Sequence, residues 1–285
     1  MVYLLIVSLI WAFSFGLIKG NLVDIDSNFV SFARLLISFL VFLPFLKIKN
    51  LERKLTFTLL LIGAVQYGVM YVSYIFAFQF LKAYEVVLFT IFTPIYVVII
   101  NDLVEKKFHP FFYLTSLISF VGTAVIVWDE ITSNELIIGF LLMQISNIAF
   151  AFGQIYYKKS MLKFPKVNDK NIFAILYLGG FIVAFLFSIF TTNYSTLLFS
   201  NNQILTILYL GIVASGIGFF LWNYGATLTN TGSLAVFNNL KIPLGIVISV
   251  LFFSEEVNII SLLIGGLIVT SALVINEYQI KKHSS

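Results

Sequence analysis

The lysine at position 241 is the residue whose chemistry is hardest to explain by packing alone. It lies about ten residues into the apolar stretch Gly232–Phe253, close to the middle of any helix formed there. A lysine at that depth in a bilayer costs about 2.5–3.5 kcal/mol on insertion scales. Its ammonium group could hold the carboxylate of a small molecule or titrate during a reaction cycle. Alternatively, it is hydrogen-bonded to Asn238 or to carbonyls that Pro243 leaves open, because proline has no backbone donor.

Arg34 and Glu85 are opposite charges that the sequence places at similar depth. Arg34 lies about two helical turns from the start of the stretch Asn28–Leu46, and Glu85 lies near the start of Ala83–Leu103. An ion pair between them would form a gate that opens and closes. The alternative is that the arginine side chain extends to the membrane interface and has a purely structural role.

Amide and aromatic side chains supply the other candidate binding groups. Gln144, Asn147 and Gln154 recur at i, i+3 and i+10, which puts them within about 80° of one another on a helix. Amides in hydrocarbon need partners, so this face points inward, either to bind cargo or to join helices. An aromatic box lined with amides suits a small zwitterion or a flat heterocycle. The candidate substrate-binding residues are Trp11, Gln66, Tyr71, Gln144, Asn147, Gln154, Trp222, Asn238 and Lys241.

The composition describes the surroundings of these residues. Of the 285 residues, 60% are hydrophobic and 11% are charged, and the mean hydropathy is +1.02. This composition excludes a disordered chain and a single soluble domain. The basic residues lie in short runs between apolar stretches, so we expect no nucleic-acid partner. The chain has no cysteine and no zinc or nucleotide-binding motif, so we expect no metal, no cofactor and no catalytic residues.

Ten stretches are long and apolar enough to cross a bilayer, which takes about 20 residues. They are Val2–Ile18, Asn28–Leu46, Leu55–Phe80, Ala83–Leu103, Pro110–Trp128, Leu136–Tyr157, Asn171–Phe190, Gln203–Trp222, Gly232–Phe253 and Ile259–Asn276. If the N-terminus is cytoplasmic, thirteen of the 17 lysines and arginines fall in cytoplasmic segments and two in outer connections. Positive charge accumulates on the cytoplasmic side, which predicts an even number of spans and two cytoplasmic termini.

The two halves of the chain resemble each other. Ala-Phe-Ser-Phe-Gly at 12–16 is similar to Ala-Phe-Ala-Phe-Gly at 149–153, and Pro94 aligns with Pro243 at an offset of 149. The predicted repeats are residues 1–130 and 131–285, with five spans each. Because five is odd, the two repeats are inverted, which predicts a site between them and a rocking motion. Pro94 and Pro243 are the predicted hinges, beside the Arg34–Glu85 gate.

Several of these segments resemble the EamA-type branch of the drug/metabolite transporter superfamily. The segments are Trp11–Lys19, the Arg34-Leu-Leu-Ile run, the paired runs Ala77–Pro94 and Ala226–Pro243, and Glu255. The resemblance implies ten helices, cytoplasmic termini and transport of amino acids or related metabolites, often outward. Two features depart from the family pattern: Ser254 replaces the usual glycine before Glu255, and Lys241 is not typical.

We therefore predict an all-α membrane protein that acts as a monomeric secondary transporter. Its partners would be the lipid bilayer and a small polar substrate, with an amino acid or an amine as the leading candidate. The protein would carry this substrate by alternating access. The alternatives are an uncoupled facilitator, or a carrier of nucleobases or drugs. A channel and an intramembrane enzyme are more distant alternatives, because no cluster of histidines or carboxylates occurs at membrane depth.

Overall fold

The structure is a computed structural model that describes residues 1–49, 51–81, 83–127, 134–253 and 259–284. Every regular element among these residues is helical. The α-helices are α1 (Val2–Asn21), α2 (Ser27–Phe42), α3 (Arg53–Gly63), α4 (Met70–Ala77), α5 (Ala83–Phe89), α6 (Thr93–Glu105), α7 (Pro110–Val127), α8 (Asn134–Lys163), α9 (Asp169–Thr191), α10 (Asn201–Tyr209), α11 (Gly218–Thr227), α12 (Thr231–Phe253) and α13 (Ile259–Ser284). The predicted repeat boundary at 130/131 and Glu255 lie outside the described residues.

Short segments of altered helical pitch join some of these helices. A π-helix at Ala64–Val69 connects α3 to α4, and a second π-helix at Leu210–Ile217 connects α10 to α11. A 3₁₀ turn at Thr90–Phe92 connects α5 to α6. Further 3₁₀ turns lie at Leu43–Phe45 and Tyr194–Thr196. Such irregular turns often mark functional positions in a helix.

Within the described residues, seven helical segments are long and apolar enough to cross a membrane. They are Val2–Asn21, Ser27–Phe45, Arg53–Ala77, Glu85–Glu105, Leu136–Lys163, Asp169–Thr191 and Asn201–Thr227. Two shorter apolar helices, Pro110–Gly122 and Leu263–Gln279, accompany them. The prediction of an all-helical membrane protein is confirmed, whereas ten crossings and the side of the termini remain predictions.

The two predicted hinge prolines lie in different surroundings. Pro94 is in the first turn of α6, directly after the 3₁₀ turn Thr90–Phe92. Pro243 lies inside α12, which continues on both sides of it. The first proline therefore coincides with an interruption of the helix, whereas the second lies inside a continuous helix.

Two glycines allow α3 and α9 to pack with their backbones in contact. A Cβ atom on Gly63 would lie 1.8 Å from the carbonyl oxygen of Leu176, and one on Gly179 would lie 2.1 Å from that of Leu60. Neither position has room for a side chain, since backbone atoms cannot move aside cheaply. Small residues permit close helix approach in membranes, and here they hold the two halves of the chain together.

Contacts along α1 define the two ends of the helical bundle. Near its start, Leu4 packs against Gly225, and near its end Asn21 donates to the Thr206 hydroxyl at 2.9 Å. The C-terminal helix lies at the Leu4 end, because Asn276 and Glu277 bond to Asn230, five residues beyond Gly225. The start of α1 and the end of α13 therefore lie at the same end of the bundle.

Two lysines make similar contacts at opposite ends of this bundle. Lys19 donates to the carbonyls of Phe78 at 3.0 Å and Leu81 at 2.9 Å, just beyond α4. Lys158 donates to the carbonyl of Thr229, just beyond α11. Cations favour the C-terminal ends of helices, where carbonyls lack helical partners. Each lysine therefore joins the first helix of one half to the end of a later helix of the same half.

Candidate functional site

A cavity lies between the two halves of the chain, where the predicted inverted repeats would meet. It holds about 530 Å³ of empty space, part of which is open to the outside. Helices α1, α2, α4, α8, α11 and α12 and the 3₁₀ turn before α6 contribute side chains. The lining residues are Trp11, Ser14, Phe15, Arg34, Met70, Tyr71, Tyr74, Thr90, Met143, Ser146, Asn147, Phe150, Phe219 and Lys241.

Arg34 projects from α2 into this cavity and is 3% exposed. Its Nη2 donates to the hydroxyl of Tyr71 at 2.9 Å, its Nε donates to Ser215 Oγ at 3.2 Å, and the guanidinium lies 4.6 Å from the centre of the Tyr71 ring. Its Nη1 is buried without a hydrogen-bond partner in the described part of the chain. The guanidinium is therefore fixed in orientation and retains one nitrogen with unused donor capacity.

This environment differs from the ion pair expected from the sequence. The hydrogen bonds of Arg34 go to Tyr71 and Ser215 rather than to Glu85, because the side chain turns into the bundle. Its burial also excludes the alternative of an arginine extended to the interface. Glu85 is half-buried on α5 and makes other contacts.

Lys241 projects from α12 into the same cavity and is 5% exposed. Its Nζ lies 5.6 Å from the Trp11 ring and 5.5 Å from the Phe150 ring. Among the described residues, the Lys241 ammonium makes these two cation–π contacts and no hydrogen bond or ion pair. Asn238, the partner considered from the sequence, donates instead to Gln154 and to the Leu234 carbonyl.

The charge of the cavity is positive. The described residues that line it include Arg34 and Lys241 but no aspartate or glutamate. Two cations without an acidic neighbour in a low-dielectric site attract an anion strongly. The arrangement therefore favours a ligand that carries a carboxylate or another anionic group.

Aromatic rings form the apolar wall of the cavity. The Trp11 ring lies 4.8 Å from Phe219 and 5.6 Å from Phe150. A hydrogen bond of 2.9 Å from Trp11 Nε1 to the carbonyl of Ala214 fixes the indole. This wall offers an apolar aromatic surface to the body of a ligand.

Most of the predicted amides join helices instead of lining the cavity. Gln66 and Asn223 donate to each other at 2.9 and 3.0 Å in a fully buried pair. Gln154 accepts from Trp222 at 3.0 Å and from Asn238 at 3.2 Å. These contacts satisfy groups that would be costly to leave unpaired in the membrane.

The structure thus separates the predicted binding residues into two groups. Those that line the cavity are Trp11, Tyr71, Asn147 and Lys241, with Arg34 from the predicted gate. Those that lie in the surrounding hydrogen-bond network are Gln66, Gln144, Gln154, Trp222 and Asn238.

Some functional positions were not singled out from the sequence. Ser215, which orients Arg34, lies in the π-helical segment of the other half, and its spacing from nearby glycines indicated only close packing. Phe150 and Phe219 complete the aromatic wall. Phe150 lies inside the repeated Ala-Phe-Ala-Phe-Gly run, which is the signal that would have found it.

Comparisons with known proteins agree with this architecture. The EamA-like transporter family matches residues 1–128 and 137–277. A crystal structure superposes with a TM-score of 0.77 at 15% identity, over 96% of this chain and 95% of the other, which supports the fold alone.

Two curated relatives match nearly the whole chain. The chain is 34% identical to the biotin transporter of Escherichia coli K12, over 100% of this chain and 95% of that protein. It is also 34% identical to a probable biotin transporter of Pseudomonas aeruginosa, over 96% of each. An uncharacterised transporter of Archaeoglobus fulgidus is 26% identical over 91% of each chain.

These matches extend over both halves and include the segments that form the cavity. They identify a multi-pass integral membrane transporter, of the inner membrane in a bacterium, and not an enzyme. The chain belongs to the EamA-like transporter family.

Proposed function

We propose that this protein carries biotin, or a similar carboxylate with a neutral ring, across the membrane through the central cavity. The observation that carries the proposal is the pair of buried cations, Arg34 and Lys241, on a lining whose described residues include no acid. The names of the relatives from Escherichia coli and Pseudomonas aeruginosa support the same substrate.

The chemistry of biotin suits both parts of the cavity. Its carboxylate would accept hydrogen bonds from Arg34 Nη1 and the Lys241 ammonium, which lack such partners within the described chain. Charge-assisted hydrogen bonds of this kind are about twice as strong as neutral ones. Its aliphatic chain and fused rings would pack on Trp11, Phe150 and Phe219.

The same lining argues against the amino acids and amines first expected from the sequence. Their ammonium group would lie near two cations, with no carboxylate among the described lining residues to balance it. Uncharged nucleobases and drugs would leave both cations without a counterion. The cavity therefore favours an anionic cargo over each of these classes.

For the mechanism, we propose alternating access between the inverted halves 1–130 and 131–285, in a ten-span monomer with cytoplasmic termini. The separate family matches to each half support this arrangement. So do the Lys19 and Lys158 contacts at opposite ends of the bundle. Pro94 and Pro243 would lie at the bending positions, although an uncoupled facilitator would use the same cavity.

Uptake into proteoliposomes tests the substrate. Labelled biotin should enter and be competed by unlabelled biotin but not by biotin methyl ester or by amino acids. Replacing Lys241 with Gln should weaken biotin binding about 10–100-fold, the value of a hydrogen bond between charged groups.

Lys163→Gln is the matched control, because this exposed lysine lies at the end of α8, away from the cavity. It should transport biotin normally. Equal competition by biotin and its methyl ester, or normal binding by the Lys241 variant, would contradict the proposal.

A further inference from the structure

One carbonyl near the cavity lacks its usual helical partner. The α5 helix ends at Phe89, and the N–H of Thr93, four residues later, bonds to Thr90 in the 3₁₀ turn. The next residue, Pro94, has no N–H to offer. The Phe89 carbonyl caps the 3₁₀ turn and has no α-helical partner, so one of its two lone pairs can accept a hydrogen bond from another helix.

Asn147 of α8 supplies that bond from the other half of the chain. Its Nδ2 lies 2.6 Å from the Phe89 oxygen and 3.4 Å from Gln144 Oε1, and the residue is 3% exposed. A carbonyl can only accept, so the amide must direct its NH₂ group there. This contact fixes which way the Asn147 amide faces.

The opposite end of that amide is an acceptor that no described residue engages. Asn147 lines the cavity, and its Oδ1 receives no hydrogen bond from the described residues. A polar atom left without a partner in such a site is costly, so a ligand that supplies a donor gains affinity.

Two neighbouring hydroxyl groups also have their donors already in use. Ser14 donates its proton to the Ile10 carbonyl at 2.8 Å, and Thr90 donates to the Val87 carbonyl at 2.6 Å. Their donors are used within their own helices, so they present lone pairs. Asn147, Ser14 and Thr90 therefore present acceptors, whereas Arg34 and Lys241 present donors.

We propose that Asn147 determines specificity by accepting a hydrogen bond from a neutral ring N–H of the cargo. This inference rests on the proposed carboxylate substrate and narrows it to carboxylates that also carry an amide-like or urea-like N–H. Biotin has this combination, since its urea ring carries two N–H groups. A carboxylate with a purely apolar body would leave Asn147 Oδ1 unpaired and bind more weakly.

Competition by three ligands separates the two contacts. The purified protein is titrated with biotin, with biotin methyl ester, and with biotin methylated on both ring nitrogens. The wild type should prefer biotin to the N-methylated compound by about 10-fold or more, because one buried hydrogen bond is lost. The wild type should also prefer biotin to biotin methyl ester, because the ester lacks the carboxylate.

Two variants assign each preference to a residue. Asn147→Leu should lose the preference for free N–H and keep the preference for the acid; leucine is similar in size, so relief of crowding does not explain such a loss. Lys241→Gln should keep the preference for free N–H and lose the preference for the acid. An unchanged N–H preference in Asn147→Leu overturns this inference alone, whereas a wild type that does not distinguish acid from ester overturns the proposed function.

A second substitution covers the case in which Asn147→Leu does not fold. Asn147→Ala removes the same acceptor with a smaller side chain and should also lose the preference for biotin over its N-methylated form. If a well-folded Asn147→Ala protein keeps that preference, Asn147 does not bind the ring N–H.

Discussion

Two buried cations share the cavity, and their surroundings differ at the level of single atoms. Arg34 is held by the hydroxyls of Tyr71 and Ser215, whereas the Lys241 ammonium lies near the Trp11 and Phe150 rings and has no hydrogen bond to the described residues. The planar guanidinium is thus pre-organised for a carboxylate, while the ammonium can follow its ligand. We expect orientation of the cargo to depend mainly on Arg34.

Removing the Tyr71 hydroxyl tests this pre-organisation. Tyr71→Phe keeps the ring beneath the guanidinium but removes the acceptor of Nη2. Biotin binding should weaken roughly 3–10-fold, in line with the loss of one orienting hydrogen bond. Isothermal titration against wild type measures the change. The exposed Tyr278→Phe is the control, and wild-type affinity in Tyr71→Phe would contradict the role given to this hydroxyl.

The sequence identified Lys241 because a charge in an apolar stretch needs an explanation on energetic grounds alone. It did not separate amides that bind cargo from amides that join helices. Gln66 and Asn223 are 157 residues apart in the chain and pair only after folding. Periodicity shows which face of a helix is inward, but the partner on that face depends on distant helices.

At the scale of the helices, interruptions cluster around the cavity. The π-helical segments Ala64–Val69 and Leu210–Ile217 lie at corresponding positions of the two halves, given the offset of 149 between aligned prolines. The second segment carries Ser215, and the 3₁₀ turn carries Thr90. An uninterrupted helix bonds its interior carbonyls internally, so these interruptions allow polar groups beside the site to bond elsewhere.

The close packing of α3 on α9 gives a stability prediction. Gly63→Ala places a methyl group against the Leu176 backbone, and overpacking of this kind costs about 1–3 kcal/mol. We expect a clearly lower Tm for the purified protein. Gly20→Ala is the control, since a Cβ there meets nothing within 4 Å. Equal Tm values for the two variants would contradict the packing described.

Apolar length predicted the helices well, because hydrocarbon requires every backbone group to bond within its own segment. The interruptions were less predictable. Pro94 indicated the interruption between α5 and α6, but the π-helical segments contain no proline. Their pitch follows from packing against neighbouring helices, which no local pattern in the sequence records.

At the scale of the whole molecule, the start of α1 and the end of α13 lie at the same end of the bundle. The excess of positive charge in the predicted cytoplasmic segments predicts that this end faces the cytoplasm. Composition alone predicted a helical membrane protein, and the inverted repeat predicted a transporter. The positive charge of the cavity follows only from the packing of α2 and α12, which brings Arg34 and Lys241 together.

Cysteine labelling tests the orientation directly, because the chain has no native cysteine. Val2→Cys and Lys282→Cys are both at exposed positions. In intact cells, a membrane-impermeant maleimide should label neither variant, and it should label both after the membrane is opened. Labelling of only one variant in intact cells would place the termini on opposite sides and contradict an even number of spans.

The central claim is that two cations in one cavity hold the carboxylate of the cargo. A structure of the purified protein with biotin bound, determined by electron cryomicroscopy or crystallography, measures this most directly. We predict the biotin carboxylate within hydrogen-bonding distance of Arg34 Nη1 or Lys241 Nζ, with the rings against Trp11 and Phe150. Biotin bound elsewhere, or a Lys241 side chain that faces lipid, would contradict the account.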